Sequence, residues 1–165
     1  MSNARYPILF TYRDILAGNG FVAGIEVRGR YLMADESEEG VWIYGVNPGG
    51  LSAVGNSQKE ATSAFREAYR ESFFDIAGDA RTFDDFKSAI THFVEDENSH
   101  YCAEWWDAVA LVRNGKADLK WMEKKEAESE LQVTVVKLSL QEEQSEIAEK
   151  PAPSQNQVDN LAQAA

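Results

Sequence analysis

The chain is poor in cysteine, in long apolar runs and in positive charge. Cys102 is the single cysteine among 165 residues, so no disulfide can form within the chain and nothing points to an oxidising compartment. No window approaches the length of apolar sequence that a membrane-spanning helix needs, and the first residues lack the apolar run of a signal peptide. We therefore expect a cytoplasmic protein that is not inserted in a membrane.

Basic residues are outnumbered, since 16 Lys and Arg face 28 Asp and Glu and give a net charge of −12. Nucleic-acid binding requires clusters of Lys and Arg at the phosphates, so this balance argues against direct binding of DNA or RNA. It favours association with a basic protein partner, which the opposite charge attracts. The 44% of hydrophobic residues and the chain length suffice for a core that needs neither disulfides nor metals.

The first 78 residues have the pattern of a small antiparallel sheet. Apolar residues recur as they do in strands over three segments, which are 8–15, 21–34 and 41–46. Glycine-rich and acidic stretches separate these segments and predict turns. Gly24 and Gly29 lie inside the second segment and indicate a bulge or a close backbone approach.

A helix is predicted over residues 57–77. Ser57 and Glu60 form an S-x-x-E capping box at its start, and apolar residues then recur along one face. We expect the helix to pack on the sheet through Phe65, Ala68 and Phe73. Gly78 is expected to end it in the left-handed conformation.

The second half of the chain is predicted to contain a helix, a β-hairpin and a strand. Thr82 begins the helix, which ends near Asn98. Asn114-Gly115 supplies the two positive φ angles of a type I′ turn, and apolar residues then face each other across the turn. This pattern predicts a hairpin over Trp105–Met122, and the Val-rich segment 131–140 predicts the last strand.

The composition divides the chain into three predicted units. Residues 1–78 form the first domain, and residues 79–140 form an α+β extension. Residues 141–165 are acidic, contain Pro151 and Pro153, and are predicted to be a disordered tail.

Two patterns resemble known chemical sites, and both are incomplete. The turn at residues 50–57 nearly matches the phosphate-binding pattern G-x-x-x-x-G-K-[ST], but Asn56 stands in place of the lysine. His92, His100 and Cys102 are residue types that bind zinc, yet their spacing contains no C-x-x-C pair. We therefore predict no catalytic, cofactor-binding or metal-binding residue, and no enzymatic activity.

Aromatic residues are the remaining candidates for a functional surface. Large apolar side chains are usually buried, but Trp105 and Trp106 are adjacent and would face opposite sides of a strand. The predicted hairpin buries Trp106 and leaves Trp105 outside. We therefore predict a partner-binding surface that contains Trp42, Tyr44 and Trp105.

The segment 41–61 resembles the HicB-like antitoxin family. In that family a strand leads through a glycine-containing turn into the pattern small residue, x, Gly, polar, Ser/Thr, x, x, Glu-Ala, and residues 53–61 here match it. The resemblance covers residues 8–78 and implies a small sheet with one helix across it, related to a partial RNase H or double-stranded-RNA-binding topology. Family members usually end in a DNA-binding module, which the acidic segment 141–165 does not supply.

These expectations describe an α+β protein that acts as a non-enzymatic interaction module. The resemblance implies an antitoxin that neutralises a small, basic, RNA-cleaving toxin. Two alternatives stay open, an orphan HicB-like accessory or structural protein and an uncharacterised enzyme. The sequence also leaves a homo-oligomer open.

Overall fold

The structure, a computed structural model, describes residues 4–36, 38–117 and 131–139. This part of the chain has the predicted α+β class, with an antiparallel sheet and helices on both of its faces. The elements in chain order are β1 (Ala4–Ala17), β2 (Val22–Asp35), β3 (Val41–Asn47), β4 (Ser52–Gly55), α1 (Gln58–Asp79), α2 (Phe83–Glu95), α3 (Ser99–Arg113) and β5 (Gln132–Leu138).

Strand β2 lies at the centre of the sheet. Strand β1 pairs with it along its whole length, from Ala4 opposite Asp35 to Ala17 opposite Val22. The other edge of β2 is shared, because β5 pairs with residues 22–28 and β3 pairs with residues 30–35. The β2–β3 register shifts at Arg30/Tyr31, next to the point where the neighbour of β2 changes. Strand β4 pairs with β3 on the far side.

Helices α1 and α2 cover one face of the sheet, which we call the first face. Alternation along the strands points Ile8, Tyr12 and Leu16 of β1 to this face, where they form the larger core. Phe65 and Phe73 of α1 are buried there, and the rings of Phe65 and Phe10 meet edge to face at 5.8 Å between centroids. The predicted packing of this helix on the sheet is therefore confirmed for Phe65 and Phe73, whereas Ala68 is half-buried and is not part of the core.

Helix α3 covers part of the opposite face, which we call the second face. Trp105, Ala108 and Val109 of α3 pack on Leu32 and Val46 of the sheet and form a second, smaller core. Their spacing of three and four residues places them on one side of the helix.

The predicted hairpin over Trp105–Met122 is wrong in its first strand, because the chain stays helical up to Arg113. Asn114-Gly115 ends helix α3 instead of turning a hairpin. The Gly115 N–H donates to the Val112 carbonyl at 3.0 Å, and the Lys116 N–H donates to the Leu111 carbonyl at 2.9 Å. With φ of +67° at Gly115, this is a Schellman motif, which uses the same positive φ angle as a hairpin turn. Most of the predicted second strand lies outside the described residues.

Gly78 does not end α1 in the left-handed conformation, as the sequence had suggested. The helix includes Gly78 and Asp79, and Ala80 is its C-cap, with φ of −68° and an N–H that donates to the Ile76 carbonyl at 3.0 Å. A residue with ordinary backbone angles therefore closes this helix.

The predicted strand at 131–140 is confirmed as β5, and it joins the sheet of the first 78 residues by pairing with β2. The predicted tail 141–165 lies outside the described residues. Among the described helices, none combines the length and the apolar character that crossing a membrane requires.

Replacing Phe65 tests the packing on the first face. Phe65 is 3% exposed, so Phe65→Ala should leave a cavity and lower the free energy of unfolding by about 3–5 kcal/mol. Phe74→Ala is the matched control, because Phe74 lies on the same helix and is 44% exposed. Urea unfolding followed by circular dichroism measures both changes. Equal losses in the two variants would contradict the assigned packing.

Two glycine-to-alanine replacements should change stability in opposite directions. A Cβ meets open space at both Gly115 and Gly78, but only Gly115 has a positive φ angle. Gly115→Ala should therefore destabilise the protein by about 1–2 kcal/mol, because an L-residue is strained there. Gly78→Ala should stabilise it by about 0.5–1 kcal/mol, because alanine is the better helix former. Thermal unfolding of the two variants measures both effects, and a stabilised Gly115→Ala variant would refute the capping role of Gly115.

Candidate interaction surface

Three aromatic rings are stacked at the edge of the second face, and we call Trp42, Tyr44 and Tyr101 the aromatic stack. The ring centroids of Trp42 and Tyr44 are 5.8 Å apart with 5° between the ring planes. Those of Tyr44 and Tyr101 are 4.5 Å apart with 15° between the planes. All three side chains are half-buried, so part of each remains accessible to a partner.

The strand geometry places two of these rings side by side. Trp42 and Tyr44 are two residues apart on β3, and side chains at that spacing point to the same face of a sheet. Their partners on β2 are Ala34 and Leu32, which belong to the second face. On the other side, Trp42 lies opposite Val54 of β4, which is itself exposed.

The start of helix α3 brings Tyr101 to the stack. Asn98 is the N-cap, and its Oδ1 accepts a hydrogen bond from the Tyr101 N–H at 3.2 Å. The Asn98 N–H donates to the Val46 carbonyl at 3.1 Å, and the Gly49 N–H donates to the Asp96 carbonyl at 2.8 Å. A Cβ on Gly49 would collide with the Asn98 backbone, so this close approach requires glycine. These contacts hold the first turn of α3 against the end of β3.

Carboxylates surround the aromatic stack. Burial and the nearby negative charge of Glu36 raise the pKa of Tyr44, and Glu39 adds to the effect, while Arg5 opposes it. Glu104 on α3 pairs with Arg5 and lies 3.2 Å from His100 Nε2. The rim of the stack is therefore predominantly acidic.

The indole N–H of Trp42 is buried and has no acceptor among the described residues. A buried donor without an acceptor costs about 1–3 kcal/mol of stability.

The structure brings Trp42 and Tyr44 together and separates Trp105 from them. Trp105 is 1% exposed in the smaller core, so it is not available to a partner, and the expectation of an exposed Trp105 is incorrect. Its neighbour Trp106 is 39% exposed instead. The incorrect expectation follows from the predicted hairpin. A strand would have buried Trp106 and exposed Trp105, whereas the helix buries Trp105 and exposes part of Trp106. The helical spacing of Tyr101, Trp105 and Ala108 was the signal that could have corrected it.

Next to this core, Arg30 of β2 lies over both indoles. The guanidinium carbon is 5.3 Å from the centroid of the Trp105 ring and 5.9 Å from that of Trp106. Cys102 lies beside this group, where burial and the charge of Glu97 raise the pKa of its thiol. A raised pKa keeps the thiol protonated at neutral pH, which makes it a poor nucleophile.

In the turn that resembles a phosphate-binding loop, side chains of the protein itself bind the backbone N–H groups. Ser57 Oγ accepts from the Glu60 N–H at 3.2 Å, and Glu60 Oε2 accepts from the Asn56 N–H at 2.9 Å. A Cβ on Gly55 would collide with the backbone N of Ala61, so the first turn of α1 packs directly on this glycine. The glycine serves helix packing at this position.

The candidate metal ligands lie on two different helices. His92 is in the last turn of α2, whereas His100 and Cys102 are in the first turn of α3. Within the described ranges, no group of three or more His, Cys, Asp or Glu side chains could hold a metal ion. Of the candidate site residues predicted from the sequence, the fold brings Trp42 and Tyr44 into contact.

No family model, no curated protein and no solved structure matches this chain. Function is therefore inferred from the geometry and the charge of the surface.

The raised pKa of Tyr44 provides a test of the acidic rim. Glu36→Gln should lower the pKa of Tyr44, because it removes the charge that disfavours the phenolate while leaving the ring buried. The chemical shift of the labelled Tyr44 ring, followed as pH rises, reports this pKa. Glu71→Gln on α1 is the charge-matched control. An equal response to both replacements would show that Glu36 does not act on the stack.

Proposed function

We propose that this protein is a non-enzymatic interaction module that binds a basic polypeptide at the aromatic stack. The observation that carries the proposal is the parallel stacking of Trp42, Tyr44 and Tyr101 beside the carboxylates of Glu36 and Glu39. The proposal includes the HicB-like interpretation, in which the polypeptide is a small, basic, RNA-cleaving toxin and this protein is its cytoplasmic antitoxin.

Arginine is the partner side chain that suits this surface best. Its planar guanidinium stacks on aromatic rings, an attraction worth about 0.5–1 kcal/mol at exposed sites and about 2 kcal/mol where water is excluded. Carboxylates next to the ring add charge-assisted hydrogen bonds to the same group. An acidic rim around an aromatic platform thus favours arginine-rich segments over neutral ones.

The charge of the whole chain supports the same partner. A net charge of −12 accelerates the encounter with a cationic protein and disfavours binding to RNA or DNA. A basic ribonuclease presents its cationic surface to RNA, so an acidic protein that covers this surface would compete with the substrate. Inhibition of this kind requires no catalytic group in the inhibitor.

The exposed neighbourhood of the stack has the composition of a protein interface. Tryptophan, tyrosine and arginine dominate the binding energy of such interfaces, usually at positions surrounded by less important contacts. Val54 extends the apolar area next to Trp42, and Glu104 and His100 lie beside Tyr101 on α3. The half-buried rings lose little side-chain entropy on binding, because they are already held by one another.

Binding of a synthetic peptide of alternating arginine and glycine tests the proposal. Calorimetry should show that the peptide binds, and that a lysine–glycine peptide of equal charge binds more weakly because an ammonium group cannot stack as a guanidinium does. Trp42→Ala should weaken arginine-peptide binding at least about tenfold, the loss expected for a central interface residue.

Phe74→Ala is the control for Trp42→Ala, because Phe74 is an exposed aromatic residue on α1, where it contacts Arg70. Equal binding by the two variants would place the interaction elsewhere. The antitoxin function is tested in cells: co-expression should restore growth inhibited by a small basic ribonuclease encoded beside this gene, and Trp42→Ala should abolish the rescue. Rescue by neither form would contradict the antitoxin interpretation.

A further inference from the structure

Helix α3 covers one half of the second face, and the other half exposes apolar side chains to solvent. It is formed by the second part of β1, the first part of β2 and β5. Ile15 is 65% exposed there and Val136 is 52% exposed, and Leu138 lies over Gly24 with its side chain partly open. We call this surface the open half. Clustered exposed apolar residues on a sheet are typical of a binding surface.

At the end of the sheet next to the apolar side chains of the open half lies a groove of about 620 Å³, whose lining also includes Lys137. The β1–β2 turn forms one wall with Gly18 and Phe21, and the end of β5 forms the other with Leu138 and Ser139. The chain therefore leaves β5 at the groove itself, and residues 140–165 start there.

Further along the same surface lie three arginines, Arg13, Arg28 and Arg30, which we call the arginine row. Glu26 is the one carboxylate that pairs with them among the described residues: Arg13 Nε lies 2.6 Å from one of its oxygens and Arg28 Nη2 lies 3.7 Å from the other. Arg30 stacks on the two tryptophans, and its Nε is buried without an acceptor among the described residues. Among the described residues, the row therefore combines three guanidinium groups with one paired carboxylate, in a chain whose net charge is −12.

We propose that the C-terminal segment, residues 140–165, docks on the open half and places its carboxylates at the arginine row. The segment carries one basic residue, Lys150, and these acidic residues: Glu142, Glu143, Glu146, Glu149 and Asp159. Its charge is opposite to that of the arginine row. This docking is a separate interaction from the binding of a basic partner at the aromatic stack.

The order of residues in the segment matches the order of features on the surface. Strand β5 ends opposite Val22, and the arginine row begins six residues away along β2, at Arg28, a distance of about 20 Å at the rise of a strand. A segment that reverses direction after Ser139 first passes the groove with Leu140. Its glutamates then follow, and an extended chain of about six residues spans the distance to Arg28.

The covalent link favours this occupant over a separate acidic peptide. A tethered segment is present at its site at an effective concentration in the millimolar range, so even a weak ionic and apolar contact is largely occupied. A free peptide would need much higher affinity to displace it.

Paramagnetic broadening in the full-length chain tests the docking. A nitroxide is attached at Gln144→Cys, between Glu143 and Glu146, in a chain whose native thiol is removed by Cys102→Ser. We expect the amide signals of residues 13–15 and 134–138 to lose most of their intensity. Salt at about 1 M, where the Debye length is about 3 Å, should restore much of it.

Two double variants separate docking at the arginine row from general charge attraction. Arg13→Gln with Arg28→Gln should abolish the broadening, whereas Arg66→Gln with Arg70→Gln should leave it, because those exposed arginines lie on α1. Arg30 is kept because it packs on the tryptophans. The proposal is overturned if no broadening is seen or if other residues are broadened. It is also overturned if the broadening persists after Arg13 and Arg28 are replaced. Broadening of an isotope-labelled chain by a separate spin-labelled chain also overturns it, because the occupant would then be the segment of a second copy.

Discussion

The fold depends on strand β2, which pairs with three other strands and contributes to both cores. Its odd-numbered residues, such as Ile25 and Val27, lie in the core under α1 and α2, and Leu32 on the opposite side lies in the core under α3. One edge of β2 serves β5 and then β3, and the register shift at Arg30/Tyr31 lies at this change. Gly29 is required next to it, since a Cβ there would collide with the Asn47 carbonyl. A one-residue slip of β2 would exchange the two faces and expose both cores.

Local sequence signals predicted the elements whose patterns are unambiguous. The capping box at Ser57, the helix start at Thr82 and the alternation of β2 each have one structural interpretation, and the structure contains those elements. The same holds for the helical stripe through Phe65 and Phe73. Asn114-Gly115 has two interpretations, because hairpin turns and helix C-caps both need a positive φ angle. Local chemistry alone cannot choose between them. The packing of Trp105 and Ala108 on Leu32 decides in favour of the helix, and that contact joins distant parts of the chain.

Two of the three rings in the aromatic stack could be placed together from local sequence, and the third could not. Trp42 and Tyr44 are neighbours on one side of a strand, so their proximity follows from the period of β3. Tyr101 joins them through contacts between the α2–α3 connection and the end of β3, where Asn98 bonds to Val46 and Gly49. The bond between Asn98 and Gly49 joins residues 49 positions apart, so local sequence patterns do not predict that Tyr101 meets the two rings of β3. Trp105 was assigned to the surface because a strand was assumed, and the helix exchanges its environment with that of Trp106.

The second face separates charges of opposite sign, and helix α3 lies between them. At one end α3 carries Tyr101 beside Tyr44, within the field of Glu36 and Glu39. Further along, its tryptophans contact Arg30, which belongs to the arginine row. A strongly acidic chain therefore has on one face both a site suited to a cationic partner and a site suited to an acidic segment. Since the same helix positions Tyr101 and holds Arg30, any shift of α3 on the sheet would change both surfaces together.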